Sequence, residues 1–449
     1  MSSSVSPSAS ASAPKTNSRG RVIFASLIGT SIEFYDFYVY ATAAVLVFPA
    51  LFFPGDDPAT SLLKSFAAFG AAFVARPIGS IVFGHFGDKI GRKGTLVASL
   101  LTMGIATFII GILPTGLTEG WEILAPTLLV TMRFCQGLGL GGEWSGAALL
   151  ATENAPEGKR AIYGTFPQLG APIGFILANG VFLLLAVNLD EAAFQSWGWR
   201  VPFLASALLV IVGLYVRFKL IETPAFQKVV DQGKVAKLPV ARVFVTSWRP
   251  LILGTFIMLA TYVLFYLMTT FTLTYGTAAT DASPDGLGYE RTDFLVMLIV
   301  GVVFFGIFTL VSGPLAERFG RRKSLIVTTI GILLFGFAFV PLFGGGFVGV
   351  MALLIIGFSL MGLTFGPMAS VLPELFPTNV RYTGSAISYN LSSILGAAVA
   401  PFIAVYLWQQ ADGSVWLVGL YLSAMALLTL FALIISRETR DIDYNSNVE

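Results

Sequence analysis

Five ionisable side chains lie within runs of otherwise apolar residues, and they are the strongest candidates for chemistry in this sequence. They are Glu33, Asp36, Arg76, Arg133 and Glu143. A charge removed from water is costly unless it is paired or hydrated. We therefore expect each of the five either to bind a ligand or a proton, or to form an ion pair that holds helices together.

Glu33 and Asp36 are three residues apart, so they share one face if the segment is helical. Two neighbouring carboxylates repel each other when both are ionised, and this repulsion favours binding of a proton by one of them. The pattern predicts a proton-coupling set that comprises these two carboxylates with Arg133 and Glu143. The alternative is that each carboxylate forms a static ion pair with Arg76 or Arg133.

Arg133, Gln136, Leu140 and Glu143 form a second stripe, because spacings of three, four and three place them on one helical face. Arg133 keeps its proton at any ordinary pH and is therefore a fixed cation. It could neutralise an anionic ligand, or hold one of the carboxylates ionised until a proton displaces it. For Glu143, relay of a proton and a structural role at a gate explain the position equally well.

Further polar side chains could contact a ligand. Arg76 precedes Pro77, where a helix is expected to kink, and a tyrosine can hydrogen-bond a carboxylate while its ring forms an apolar wall. Aromatic packing would also account for the tyrosines. The full set predicted to bind a ligand is Arg133, Gln136, Arg76, Tyr35, Tyr262, Tyr266, Tyr389 and Asn390.

The composition shows which elements must position these residues. Of the 449 residues 55% are hydrophobic and only 12% are charged, about half the charged share of soluble proteins. This excludes a soluble globular protein, a disordered chain and a nucleic-acid binder, and it predicts an all-α polytopic membrane protein. A spanning helix needs about 20 apolar residues.

Twelve spans fit the apolar runs. We place them near residues 22–53, 61–86, 95–114, 123–149, 161–187, 200–220, 250–276, 294–316, 324–343, 346–372, 382–408 and 414–436. The chain then divides into a disordered tail (1–21), a six-helix half (22–220), a linker (221–249), a second six-helix half (250–436) and a final tail (437–449). With both tails cytoplasmic, 22 of the 27 Lys and Arg residues lie on the cytoplasmic side, which satisfies the positive-inside rule.

The two halves repeat each other. Gly84-x3-Asp88-Lys89-x-Gly91-Arg92-Lys93 follows the second span, and a degenerate copy at residues 313–322 follows the eighth. Glu153-x2-Pro156-x3-Arg160 likewise corresponds to residues 374–381. Parallel repeats that enclose a midplane site are a transporter plan. The charges at these loops predict a gate formed by Gly84, Asp88, Gly91, Arg92, Glu317, Arg321, Glu374 and Arg381.

These motifs resemble the major facilitator superfamily, and Arg133-x2-Gln136-Gly137 is similar to the motif of its proton-coupled members. A narrower resemblance is to the metabolite:proton symporter family. It rests on the segments 29–38, 133–147, 197–203, 222–226 and 373–384. The similarity is strongest to an enterobacterial inner-membrane metabolite transport protein of unassigned substrate and to shikimate transporters.

The resemblance implies a non-enzymatic secondary transporter in the bacterial inner membrane. It would act as a monomer and carry a small organic acid or zwitterion, such as shikimate or a dicarboxylate, together with a proton. A drug efflux antiporter and a metabolite sensor without net flux are the alternatives. No cofactor is expected, because the sequence has no Walker loop, and one Cys and one His cannot build a metal site.

Overall fold

The structure, a computed structural model, describes residues 19–55, 57–90, 92–218, 239–282, 284–377 and 380–442, without the side chains of residues 19, 21, 22, 25, 84–96, 216–218, 239 and 242. The described residues fold into helices and connecting turns. We number twelve long helices or helix sets in chain order. They are α1 (Arg19–Leu46), α2 (Pro58–Ile90), α3 (Arg92–Ile112), α4 (Leu124–Leu140 and Glu143–Glu153), α5 (Arg160–Gln168 and Gly170–Asn188), α6 (Arg200–Phe218), α7 (Trp248–Tyr266, Leu267–Phe271 and Thr272–Thr277), α8 (Arg291–Phe319), α9 (Arg321–Phe337 and Phe339–Phe343), α10 (Gly346–Glu374), α11 (Arg381–Ser392, Ser393–Ala398 and Ala400–Gln410) and α12 (Trp416–Ile435).

Seven helices among the described residues are long and apolar enough to cross a membrane on their own, and a bent pair before and within α6 makes up to eight. The remaining numbered helices do not meet this criterion of length and apolar composition on their own, and for α1 and α4 the sequence shows why. The middle of α1 contains Glu33 and Asp36, and α4 is interrupted at Gly141 and Gly142. The twelve predicted spans therefore correspond to the twelve helices, six in each half.

The side-chain distribution is that of a protein surrounded by lipid. Large apolar residues such as Leu208, Leu184 and Phe431 are about two-thirds exposed at the surface of the bundle. Charged residues such as Asp36 and Arg133 are almost completely buried inside it. A polar interior behind an apolar surface is what a bilayer requires, because a charge facing hydrocarbon is costly.

Glycines bring α2 and α4 into backbone contact. A Cβ atom at Gly137 would overlap the carbonyl oxygen of Ala72, and one at Gly141 would overlap that of Arg76. Small residues permit this approach between membrane helices. The contact places Arg76 of α2 beside the point at which α4 is interrupted.

Several predicted spans are less regular than expected. A single π-helical turn, Leu267–Phe271, lies within α7, and a second, Ser393–Ala398, lies within α11. Such turns are frequent at functional sites, and these follow directly after Tyr266 and shortly after Asn390. The predicted linker contains a short helix, Pro239–Thr246, and the next helix begins at Trp248. Residues 1–18, 219–238 and 443–449 lie outside the described part, so the predicted disordered tail at 1–21 and most of the linker stay expectations.

Candidate functional site

A small cavity lies between the two halves near the middle of the bundle. Its polar lining residues are Glu33 and Tyr38 of α1, Arg76 of α2, Tyr262 and Tyr266 of α7, and Tyr389 of α11. Phenylalanine, leucine, methionine and alanine side chains complete its wall. The space amounts to about 20 Å³, which is room for a single water molecule. The halves are therefore closed around this point, and an organic solute requires them to separate.

Glu33 and Arg76 form an ion pair within this wall. Arg76 Nη2 lies 3.7 Å from Glu33 Oε1, and both side chains are buried. The Arg76 guanidinium also lies 5.4 Å from the centre of the Tyr389 ring of the second half. Cation–π attraction adds to the ion pair when the cation is desolvated. Arg76 thus faces groups from both halves at once.

Asp36 belongs to a different polar chain, which runs through α3 to α4. Thr107 Oγ1 lies 3.2 Å from Asp36 Oδ2, and Gln136 Nε2 donates to Thr107 Oγ1 at 2.7 Å. Arg133 Nη1 donates to Gln136 Oε1 at 3.1 Å. Ser206 of α6 is a further neighbour of the Asp36 carboxylate. Asp36 and Arg133 are thus linked through two intervening side chains.

Aromatic rings separate Arg133 from the cavity. Its guanidinium lies 4.2 Å from the ring centre of Tyr40, 4.4 Å from that of Phe37 and 4.8 Å from that of Phe69. Arg133 is completely buried and is not among the residues that line the cavity. Phe37 faces both arginines, since the Arg76 guanidinium lies 6.0 Å from the centre of the same ring. Both cations therefore lie near one aromatic side chain.

The tyrosines of the second half surround Arg76. The Tyr262 and Tyr389 rings are 5.3 Å apart, and Tyr266 packs edge-on against Phe37, Phe69 and Phe73 of the first half. Tyr389 also stacks on Trp144 of α4, with ring centres 3.9 Å apart and planes 7° from parallel. These contacts join the halves across the cavity.

Three other predicted site residues lie away from the cavity. The Tyr35 hydroxyl donates to the Pro202 carbonyl at 2.8 Å, within the first half. Asn390 Nδ2 donates to Ser80 Oγ at 2.6 Å and to the Gly141 carbonyl at 3.0 Å, which joins α11 to α2 and α4. Glu143 accepts a hydrogen bond from Ser99 at 3.3 Å. The structure thus brings only part of the predicted ligand set together.

A buried ionic cluster lies at one end of the bundle, which we call the tail face because residues 437–442 pack there. Arg321 Nη1 lies 2.7 Å from Glu317 Oε2, and Arg321 Nε lies 3.4 Å from Glu374 Oε2. Glu317 Oε1 accepts the backbone N–H of Ala161 at 2.7 Å, which joins the halves. Arg381 is buried at the start of α11. For Gly84, Asp88, Gly91 and Arg92 the predicted gate contacts lie outside the described side chains.

The tail itself contributes to this cluster. Glu438 accepts the backbone N–H groups of Arg321 and Arg322 at the N-terminus of α9, at 2.8 and 3.0 Å. Thr439 Oγ1 donates to Glu374 Oε2 at 2.7 Å. A carboxylate at a helix N-terminus is favoured by the unpaired N–H groups and the helix dipole. Glu438 and Thr439 were not among the predicted gate residues, although a Glu-Thr pair occurs at both 222–223 and 438–439.

At the opposite end of the bundle, which we call the loop face, one ion pair crosses between the halves. Arg291 Nη2, at the start of α8, lies 3.1 Å from Glu191 Oε1, ahead of α6. A surface cleft of about 500 Å³ adjoins it, lined by Val45 and Leu46 of the first half and by residues from Thr277 to Arg291 of the second. Exposed pairs of this kind contribute little to stability, so this end can open at low cost.

The sequence matches a family profile and several named transport proteins. The sequence profile described as Major Facilitator Superfamily matches residues 26–401. The Inner membrane metabolite transport protein YhjE of Escherichia coli (strain K12) is 61% identical over 426 residues, which cover 94% of this chain and 95% of that protein. The Shikimate transporter of the same strain is 35% identical over 431 residues, or 94% of this chain and 95% of that protein.

Solved structures agree on the architecture. A partially occluded inward open conformation of the xylose transporter XylE from E. coli aligns with a TM-score of 0.71 and 16% identity, over 95% of this chain and 99% of that chain. At this identity the likeness concerns the fold alone. It confirms the prediction of twelve membrane helices in two six-helix halves.

Proposed function

Because this chain belongs to the major facilitator superfamily, a family of membrane transport proteins and not of enzymes, we propose that it carries a small organic acid or zwitterionic metabolite across the bilayer together with a proton. Its relatives include proteins named as metabolite, shikimate and proline/betaine transporters. A midplane cavity between two repeated halves supports alternating access.

The tail face is cytoplasmic in this proposal, and the membrane is the inner membrane of a bacterium. The charge bias supports this orientation, since the described loop-face segments hold few Lys or Arg residues besides Arg200 and Arg291. Substrate would enter from the loop face, where Arg291 and Glu191 must part. The cluster of Glu317, Arg321 and Glu374 would close the cytoplasmic side meanwhile.

The proposed coupling between proton and substrate rests on one observation: the two carboxylates of α1 belong to separate sites. Glu33 and Arg76 line the cavity, so they are in place to contact a substrate. Asp36 and Arg133 lie behind the wall formed by Phe37, Tyr40 and Phe69. A proton can therefore bind Asp36 without competing for the space that a substrate occupies.

Charge balance determines the role of each group. A buried charge without a partner is strongly unfavourable, so a substrate carboxylate that approaches Arg76 must replace Glu33 or find it protonated. A zwitterion can instead place its cation on Glu33 and its carboxylate on Arg76. Tyr262, Tyr266 and Tyr389 supply hydroxyls and ring faces for either ligand.

Coupling follows if the halves rock only when the buried charges sum to zero. Protonation of Asp36 removes the negative charge that balances Arg133, and a substrate anion restores the balance as it completes the contacts between Arg76 and the second half. The carrier with one site occupied keeps a buried charge imbalance and stays closed. Release to the cytoplasm then requires two contacts between the halves to break. These are the hydrogen bond from the Ala161 N–H to Glu317 and the one from the Tyr382 hydroxyl of α11 to the Gly142 carbonyl.

Uptake into proteoliposomes tests the proposal. The panel contains shikimate, 2-oxoglutarate, citrate, proline and betaine, with the interior alkaline and with a protonophore control. We expect accumulation of at least one compound above equilibrium, abolished by the protonophore. Flux that only equilibrates would overturn proton coupling. Efflux driven by an inward proton gradient would favour an antiporter, and binding without flux would favour a sensor.

A further inference from the structure

Thr107 occupies a position that the function proposed above does not yet use. Its side chain is completely buried in α3, with three polar atoms within hydrogen-bond distance. These are Gln136 Nε2 at 2.7 Å, the Met103 carbonyl oxygen at 3.0 Å and Asp36 Oδ2 at 3.2 Å. A hydroxyl has one hydrogen and two lone pairs. It can therefore accept from Gln136 while donating to only one of the two oxygens.

The protonation state of Asp36 decides between the two acceptors. An ionised carboxylate can only accept, and a hydrogen bond to it is charge-assisted, so Thr107 donates to Asp36. A protonated carboxyl can donate through its O–H to the free lone pair of Thr107 Oγ1. The hydroxyl hydrogen then turns to the Met103 carbonyl. The Thr107 hydroxyl therefore donates one hydrogen bond in both states, and no proton leaves the Thr107 side chain.

We propose that Thr107 is a positioning residue that couples protonation of Asp36 to Arg133. When Asp36 binds a proton, the Thr107 hydroxyl turns from Asp36 to the Met103 carbonyl. This rests on the proton-coupling role proposed for Asp36. Gln136 bonds both Thr107 and Arg133, so a change at the hydroxyl alters the groups that hold the guanidinium. The other titratable or polar groups near Asp36 are Ser206 of α6, Arg133 of α4 and Tyr35 of its own helix.

The test compares Thr107→Val with Thr107→Ser in proteoliposomes. Valine removes the hydroxyl at nearly the same size, and serine keeps it. Thr102→Val is the matched control, since Thr102 lies on the same helix and, among the described residues, its hydroxyl bonds only the Ala98 carbonyl of that helix. Two quantities are measured for each variant: proton-driven accumulation against external pH, and substrate counterflow, which needs no net proton movement.

We expect Thr107→Val to keep counterflow but to move the half-maximal pH of accumulation upward by about one unit, the size of one lost hydrogen bond to a charged group. Loss of that bond disfavours the ionised carboxylate, so a proton binds more readily and leaves less readily. Thr107→Ser and Thr102→Val should match the wild type. A Thr107→Val profile equal to the wild type would overturn the proposal, and so would a Thr107→Ser profile equal to that of Thr107→Val.

Asp36→Asn separates this proposal from the one on which it rests. If Asp36→Asn still accumulates substrate against a gradient, the proton-coupling role of Asp36 is wrong. If Asp36→Asn abolishes accumulation while Thr107→Val behaves as wild type, only the role of Thr107 is wrong.

Discussion

Glu33 and Asp36 lie one helical turn apart on α1, yet they belong to different sites. Glu33 pairs with Arg76 at 3.7 Å in the cavity wall, whereas Asp36 reaches Arg133 through Thr107 and Gln136. In a helix the direction of a side chain turns about 100° per residue, so positions three apart diverge by about 60°. That divergence directs Glu33 towards Arg76 and Asp36 towards Thr107.

The first prediction is that these two carboxylates have separable roles. Asp36→Asn should abolish proton-driven accumulation and preserve counterflow, because the asparagine keeps the shape of the site but cannot exchange a proton. Glu33→Gln should change the apparent KM of counterflow as well, because it alters the partner of Arg76. Both are measured as counterflow and gradient-driven uptake in proteoliposomes. Identical phenotypes for the two variants would contradict separate sites.

The second prediction concerns Arg76 as the cation that faces substrate. Arg76→Gln should raise the apparent KM for an anionic or zwitterionic substrate at least tenfold, since a hydrogen bond to a charged group contributes about 1.5–3 kcal/mol. Initial uptake rates over a range of substrate concentrations give this value. Arg249→Gln is the matched control, because Arg249 is exposed at the start of α7. An unchanged KM for Arg76→Gln would place the substrate elsewhere.

The third prediction concerns closure of the tail face. The Trp144 and Tyr389 rings stack across the halves, and such pairs contribute about 0.5–1.5 kcal/mol beyond burial. Trp144→Ala should therefore increase the population open at the tail face by about two- to tenfold. Trp416→Ala, at an exposed tryptophan of α12, should not.

Distances between spin labels measure that population. Glu157 and Lys323 are exposed at the tail face, one in each half, so labels are attached through Glu157→Cys and Lys323→Cys in a Cys135→Ala background. A longer-distance component should grow in Trp144→Ala. Equal distributions in Trp144→Ala and Trp416→Ala would show that the stack does not hold this end closed.

The sequence was sufficient to predict the fold because lipid imposes a simple rule on it. Twelve apolar runs and their charge bias define twelve helices, and the paired loop motifs define the repeat. The sequence was also sufficient to identify the buried charges as a group. It could not assign partners, because helical periodicity gives the face of a residue but not the neighbouring helix. For that reason Arg133 was expected to face a ligand as readily as Arg76 was.

Thr107 shows a second limit. Threonine hydroxyls in these helices commonly bond the carbonyl four residues earlier, as Thr102, Thr127 and Thr131 do. Thr107 makes the same local contact with Met103, so its sequence context does not indicate that it also contacts Asp36. Only the packing of α1 against α3 and α4 reveals the difference.

The last prediction tests the glycine contact that sets the position of Arg76. A Cβ atom at Gly137 would overlap the Ala72 backbone, and backbone atoms of a packed helix cannot move aside as a flexible side chain can. Gly137→Ala should therefore destabilise the protein by about 1–3 kcal/mol, the usual cost of overpacking. Thermal unfolding in detergent should show a midpoint several degrees below the wild type.

Gly180→Ala is the matched control, because no atom would lie within 4 Å of a Cβ at Gly180. The alanine there should be neutral or slightly stabilising, since alanine favours a helix over glycine. If Gly137→Ala unfolded at the wild-type temperature, α2 and α4 would have to be further apart than the structure places them, and the Glu33–Arg76 pair would lose its support.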